Sequence, residues 1–174
     1  ELPGPGPAGK ADVDPAGPGR LLPGLHPGHG HLHLGPLRGA DIAFASDLPP
    51  AAGLSSSSAL VVAVFLVLSD LNALGAHDEY HRAIATADDL AGYLGAIENG
   101  AAFGPLSGDR GVGPFSGSQD QTAILYSRPG ALVQYSFAPV RFERTVPLPA
   151  NYVFVIGASG VLAEKTGSAM ELYN

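Results

Sequence analysis

Cysteine is absent from the sequence, so no disulfide framework and no thiolate metal site can form. A reducing compartment is compatible with that absence, and a cytoplasmic location is the expectation. Positive charge is scarce too: 9 Lys and Arg stand against 16 Asp and Glu, a formal net charge of −7. No global field therefore draws in nucleic acid or an anionic membrane surface, and neither is expected as a partner. An anionic ligand would have to be held by local donors and a metal. Long apolar runs are missing. The longest, Ala59 to Leu68, is about ten residues, roughly half of a membrane span. No basic segment followed by an apolar stretch opens the chain, so no signal peptide is expected and the chain reads as soluble.

What remains suits one domain. The chain has 174 residues, 45% of them apolar, which is enough to bury a core. Glycine (24) and proline (16) are frequent, which raises the share of turns. The two concentrate at the start. Residues 1–38 have few large apolar side chains and cannot offset their ordering entropy, so an irregular segment is expected there. It carries His26, His29, His31 and His33. His31 and His33 would share one face of an extended segment, as metal ligands could. No cysteine or carboxylate stands nearby to complete a shell, and a solvated His-rich loop is the better reading.

Order is expected from residue 39 to 174. Asp41 to Ser46 reads as a strand, stopped by Asp47-Leu-Pro-Pro50. The apolar run after it, extending to Leu74, reads as a buried helix from its length, its serine start and the closing Asn72-Ala-Leu-Gly75. A second helix is predicted from Asp78 to Glu98, on the stripe Tyr80, Ile84, Ala87, Ala91 and Leu94. A long glycine-rich loop, Gly100 to Ser118, is of a size that is usually functional or disordered. Strands are predicted at Ala131–Phe137, Val140–Thr145 and Tyr152–Ala158, and a helix at Leu162–Asn174. That helix has no C-cap glycine and no basic last turn, so the chain is expected to be a fragment.

One segment stands out chemically: Leu48-Pro-Pro-Ala-Ala-Gly-Leu-Ser-Ser-Ser-Ser-Ala-Leu60. Glycine admits close backbone approach, serines follow, and a hydrophobic helix begins at once. Free amides at that start would point at an anion, and the helix dipole would add to the attraction. It is not a Walker loop, because no Gly-Lys-Ser/Thr follows. Taken alone, serine and glycine before an apolar run read first as a helix cap. Two further places carry candidates: Ile97-Glu98-Asn99, and Gly117-Ser-Gln-Asp-Gln121. Taken alone, Glu98 reads as a helix-end surface charge and Asp120 as a helix N-cap.

In order, these pieces resemble the GHMP sugar kinases, and the galactokinase form in particular. Pro49 to Ser57 is similar to that superfamily's phosphate loop, and the triple Ser55-Ser56-Ser57 after Gly53-Leu54 is the galactokinase version. The resemblance implies a fold: the GHMP kinase N-terminal domain, α/β of the ribosomal protein S5 domain 2-like type, a mixed and mostly antiparallel sheet with helices on one side. It implies ATP and magnesium, with a sugar substrate phosphorylated at its anomeric hydroxyl, galactose favoured. By that resemblance Gly53, Leu54, Ser55, Ser56, Ser57 and Ser58 cradle phosphate. Ser57 and Glu98 ligate magnesium, Asp120 is the catalytic carboxylate, and Gly117, Asp120 and Tyr173 contact sugar. A carboxylate beside the attacking hydroxyl can orient it and take its proton, while a metal-binding carboxylate offsets phosphate charge.

The resemblance spans about Gly39 to Asn174 and has departures. Ser116-Gly-Ser-Gln-Asp-Gln121 stands where the family has Cys-Gly-Ile-Met-Asp-Gln, and Phe103 to Pro114 lengthens the stretch between Glu98 and Asp120. Pro18-Gly-Arg20 only echoes the family's N-terminal sugar-binding motif, and the C-terminal glycine-rich motif is not in the sequence. The isolated chain is therefore expected not to turn over sugar appreciably. A non-catalytic nucleotide- or sugar-binding remnant and a structural domain of the same fold are the alternatives.

Overall fold

The computed structural model describes residues 9–11, 36–48, 52–109, 111–113, 117–157, 159, 161 and 171. The elements run β1 (Gly9–Ala11), β2 (Ile42–Phe44), α1 (Ser56–Leu71), a 3-10 turn (Leu74–Ala76), α2 (Asp78–Ala83), α3 (Ala87–Asn99), α4 (Gln119–Tyr126), β3 (Ala131–Phe137) and β4 (Val140–Pro147). Helices plus antiparallel strands make the fold α/β. Among the described residues the strands form two separate antiparallel pairs, β1 with β2 and β3 with β4. In the first pair Lys10 stands opposite Ala43, so three residues of the segment expected to be irregular join a ladder. The four N-terminal histidines lie outside the described residues.

Helix α1 is apolar nearly all round, and its buried positions pick out one stripe: Ser58, Val62, Phe65 and Leu68. These recur at helical spacing and face the core, while Leu60, Leu66 and Val67 stay exposed. Asn72 ends the helix three residues before the expected stop. Its side chain accepts from the Arg38 amide at 2.6 Å and donates to the carbonyls of Leu68 and Arg38. One residue thereby closes the helix and ties the strand-side chain to it.

The single helix expected from Asp78 to Glu98 is two helices. Thr86 interrupts it: its side chain accepts from the Asp89 amide, and the Asp89 carboxylate accepts from the Thr86 amide. This capping box satisfies two helix-start donors at once and begins α3 afresh. Ile84 between the two helices is still buried. On α3, Ala91, Leu94, Gly95 and Glu98 are buried, one stripe at spacings of three and four. The core joins Val62, Phe65, Leu74, Ile84, Tyr93, Leu94 and Leu106. Tyr93 meets Phe65 and Phe103 edge-on, with ring centroids 5.9 and 6.0 Å apart, the favourable arrangement for aromatic quadrupoles.

The second pair is a hairpin with a register shift between Gln134 and Tyr135. It is fastened to the helices at one end. Tyr126 of α4 stacks on Tyr135 at 5.6 Å, and the Phe142 amide donates to the Asp88 carboxylate. The third predicted strand is not formed: residues 152–157 carry no ladder, and Tyr152 to Ile156 are exposed. An extended segment must find a neighbour for its amides and carbonyls, and none of the described residues supplies one. Ala158 lies outside the described residues, as does the predicted tail helix except for Glu171, which is helical. No helix among the described residues is long and apolar enough to cross a membrane.

Candidate active site

Three helix ends meet at one corner: the start of α1, the end of α3 and the start of α4. Helix α4 lies against both of the others. Each contributes polar groups. The Ser57 hydroxyl donates to Glu98 Oε1 at 2.8 Å, and the Ser58 hydroxyl donates to Glu98 Oε2 at 2.6 Å. The Gln121 side-chain amide also donates to Glu98 Oε2. Glu98 is 7% exposed and Ser58 2% exposed, whereas Ser57 is exposed. Glu98 is therefore not a helix-end surface charge. It is a buried carboxylate held by hydroxyls and an amide, as burial of such a group demands.

Backbone geometry makes the corner possible. At Gly95 an added Cβ would lie 2.8 Å from Ser118 Cα, so the absent side chain lets α3 approach the α4 start. Past Gly100, which closes α3 in the left-handed region at φ 74°, the glycine-rich loop turns back. The amides of Val112 and Gly113 both donate to the Glu98 carbonyl, at 2.8 and 2.9 Å. Glu98 is thus gripped through its backbone by the loop and through its side chain by α1 and α4.

At the phosphate-loop candidate, φ is positive at Gly53 (73°) and Ser55 (53°) but not at Leu54. A chain that alternates hands in this way turns successive amides toward one concavity suited to anions. Ser55 occupies the N-cap position of α1 without capping it by its side chain. Like any helix start, α1 opens with amides that have no intrahelical acceptor. Gly53, Leu54, Ser55, Ser56, Ser57 and Ser58 so lie on one turn leading into the corner that holds Glu98.

Asp120 sits in the first turn of α4 and is exposed, one residue before the buried Gln121. Gly117 precedes α4 and is pressed against the hairpin: a Cβ there would collide with the Phe137 ring. Tyr173 lies outside the described residues. The structure thus draws Ser57, Ser58, Glu98 and the α4 start together. It adds Gln121 as a partner of Glu98, a role the sequence reading did not assign. The available signal was its place directly after Asp120.

The donor set suits magnesium chemically: a serine hydroxyl and a carboxylate are hard oxygen ligands. Two protein oxygens match that ion's habit of keeping water and substrate phosphate as its other ligands. Among the described residues no group of three or more His, Cys, Asp or Glu offers an alternative all-protein cage.

Comparison with known proteins agrees in the region of this corner. Residues 28–105 match the family model described as GHMP kinases N terminal domain. The galactokinase of Chloroflexus aurantiacus is 33% identical over 136 residues, covering 76% of this chain and 29% of that protein. The galactokinase of Roseiflexus sp. is 34% identical over the same length, with the same coverage of each. The chain therefore spans about 29% of the length of the curated relatives it matches. No solved structure matches it.

Proposed function

We propose that the chain is a galactokinase-like member of the GHMP kinases, as its similarity to that family model and to two galactokinases supports, and that its parent protein transfers the terminal phosphoryl group of ATP to the anomeric hydroxyl of a sugar, galactose being favoured. The observation that carries this reading is the bonded trio Ser57, Glu98 and Gln121, which gathers the α1 start and the α4 start, with Asp120 beside it.

In this reading the alternating backbone at Gly53 to Ser55 and the first amides of α1 receive the phosphates of ATP. Positioning of this kind is most of what phosphoryl transfer asks of a protein. Ser57 and Glu98 would hold magnesium, which supplies charge neutralisation at the phosphates when bound. Asp120, exposed at the mouth of the corner, orients the sugar hydroxyl and takes its proton. The new bond joins the sugar oxygen to the terminal phosphorus, the bridging oxygen–phosphorus bond breaks, and ADP leaves with the electron pair. Burial of Gln121 and Thr122 on the same helix keeps α4, and with it Asp120, in a fixed orientation.

The test is Asp120→Asn in the full-length protein, assayed with Mg-ATP and galactose for sugar-1-phosphate. Loss of a general base costs about 10²–10⁴-fold in turnover. The substitution is exposed, so unfolding should shift by no more than about 0.5 kcal/mol. Unchanged turnover would remove Asp120 from the chemistry. Binding of Mg-ATP without turnover by the unsubstituted protein would replace the kinase reading with a non-catalytic one.

A further inference from the structure

The two oxygens of Glu98 are not equivalent. Oε2 accepts from Ser58 and from Gln121, both buried, while Oε1 accepts only from the exposed hydroxyl of Ser57 among the bonds described. Gln121 has made a choice to achieve this. A carboxylate can only accept, so the amide turns its NH₂ toward Glu98. Its own Oε1 is left buried with no donor among the described residues. An unmade buried hydrogen bond is unfavourable, and the arrangement persists because the bond to the carboxylate is charge-assisted and stronger.

We propose that Gln121 and Ser58 are positioning residues that occupy Glu98 Oε2 and so present Glu98 to a cation through Oε1 alone, beside Ser57. The inference rests on the reading of Ser57 and Glu98 as a cation pair. It adds a consequence for which ion the pair selects. Magnesium accepts one oxygen of a carboxylate in a tight octahedron, whereas calcium takes more ligands and readily accepts both oxygens of one carboxylate. A Glu98 pinned through Oε2 favours the smaller ion. A Glu98 released from that pin can swing and offer both oxygens, which favours the larger.

The experiment measures binding of a non-hydrolysable ATP analogue to the full-length protein by titration calorimetry, with Mg²⁺, with Ca²⁺ and with neither. Glu98→Gln reports on the cation pair itself, and Gln121→Leu and Ser58→Ala report on the positioning. Both positioning variants should weaken Mg²⁺-supported binding about 10-fold and weaken Ca²⁺-supported binding by less, so that the preference for Mg²⁺ narrows. Ser58→Thr, which keeps the hydroxyl, should restore the unsubstituted ratio. Should Gln121→Leu fail to fold, Ser58→Ala carries the comparison. Equal weakening with both ions means a merely structural role and overturns the proposal. So does an unchanged ratio in a protein where Glu98→Gln abolishes the metal effect. If Glu98→Gln changes nothing and binding is the same with or without metal, the cation-pair reading itself has failed, and this inference falls with it.

Discussion

The stretch Ala59–Leu68 and the stretch Tyr152–Ile156 are both unbroken apolar runs, yet they end in opposite environments. The first lies in α1, with Val62, Phe65 and Leu68 packed into the core. The second is extended and open, with Val155 85% exposed. The difference is a matter of backbone partners. A helix satisfies its amides and carbonyls within itself and needs only a surface for its apolar stripe. An extended segment needs a neighbouring strand before it can be buried at all. The helical corner therefore forms among the described residues, and the segment after the hairpin does not pair there.

That contrast can be tested by truncating side chains on each side of it. Leu94→Ala removes a side chain with 0% exposure, and should destabilise by about 2–5 kcal/mol in urea unfolding. A cost below about 1 kcal/mol would mean the helical corner is not packed as described.

Titration probes the same core. Burial, and next the neighbouring Tyr80, push the Tyr93 phenol up to about 12 from its usual 10.0. A phenol whose folded value lies above its unfolded value stabilises fully below pH 10. That contribution is lost as the pH rises from about 10 through about 12. The expected loss from Tyr93 across that window is about 2–3 kcal/mol, and Tyr93→Phe should remove that share of the alkaline dependence, leaving the share of Tyr126, whose phenol burial also raises. An identical alkaline slope in the phenylalanine variant would refute the assignment.

Thr86→Ala breaks the capping box that separates α2 from α3, and should cost about 1 kcal/mol. Helix content measured by circular dichroism should fall only slightly, because α3 remains packed. The smallest effect is expected at Val155→Ser, within about 0.5 kcal/mol. A cost there comparable to that of Leu94→Ala would erase the contrast between the two regions.

Much of the helical part was legible in the residues. The serine start and apolar run announced α1, and the closing Asn72-Ala-Leu-Gly75 placed its end to within three residues. The break before α3 was equally local, since Thr86-Ala-Asp-Asp89 has the spacing of a capping box, but a continuous apolar stripe through Ile84 hid it. The hairpin strands were legible from their apolar and β-branched content. The third strand was not, because periodicity reports what a segment could bury and not whether a partner is present. At the candidate site, Ser57, Glu98 and Asp120 were singled out through resemblance, since each taken alone reads as a cap or a surface charge. The bond from Gln121 to Glu98 could not be read from spacing.

What the sequence by itself determined is local. It specified the serine start of α1 and the capping box that begins α3, because caps and backbone bonds join residues only three or four apart. It also specified that α1 and α3 each carry one apolar stripe. Only the tertiary structure decided that Ser57 meets Glu98 across 41 residues and that Gln121 reaches it across 23. A hydrogen bond tolerates only a few tenths of an ångström in distance. That accuracy comes from how three helix ends pack, which Gly95 permits by letting α3 approach the start of α4.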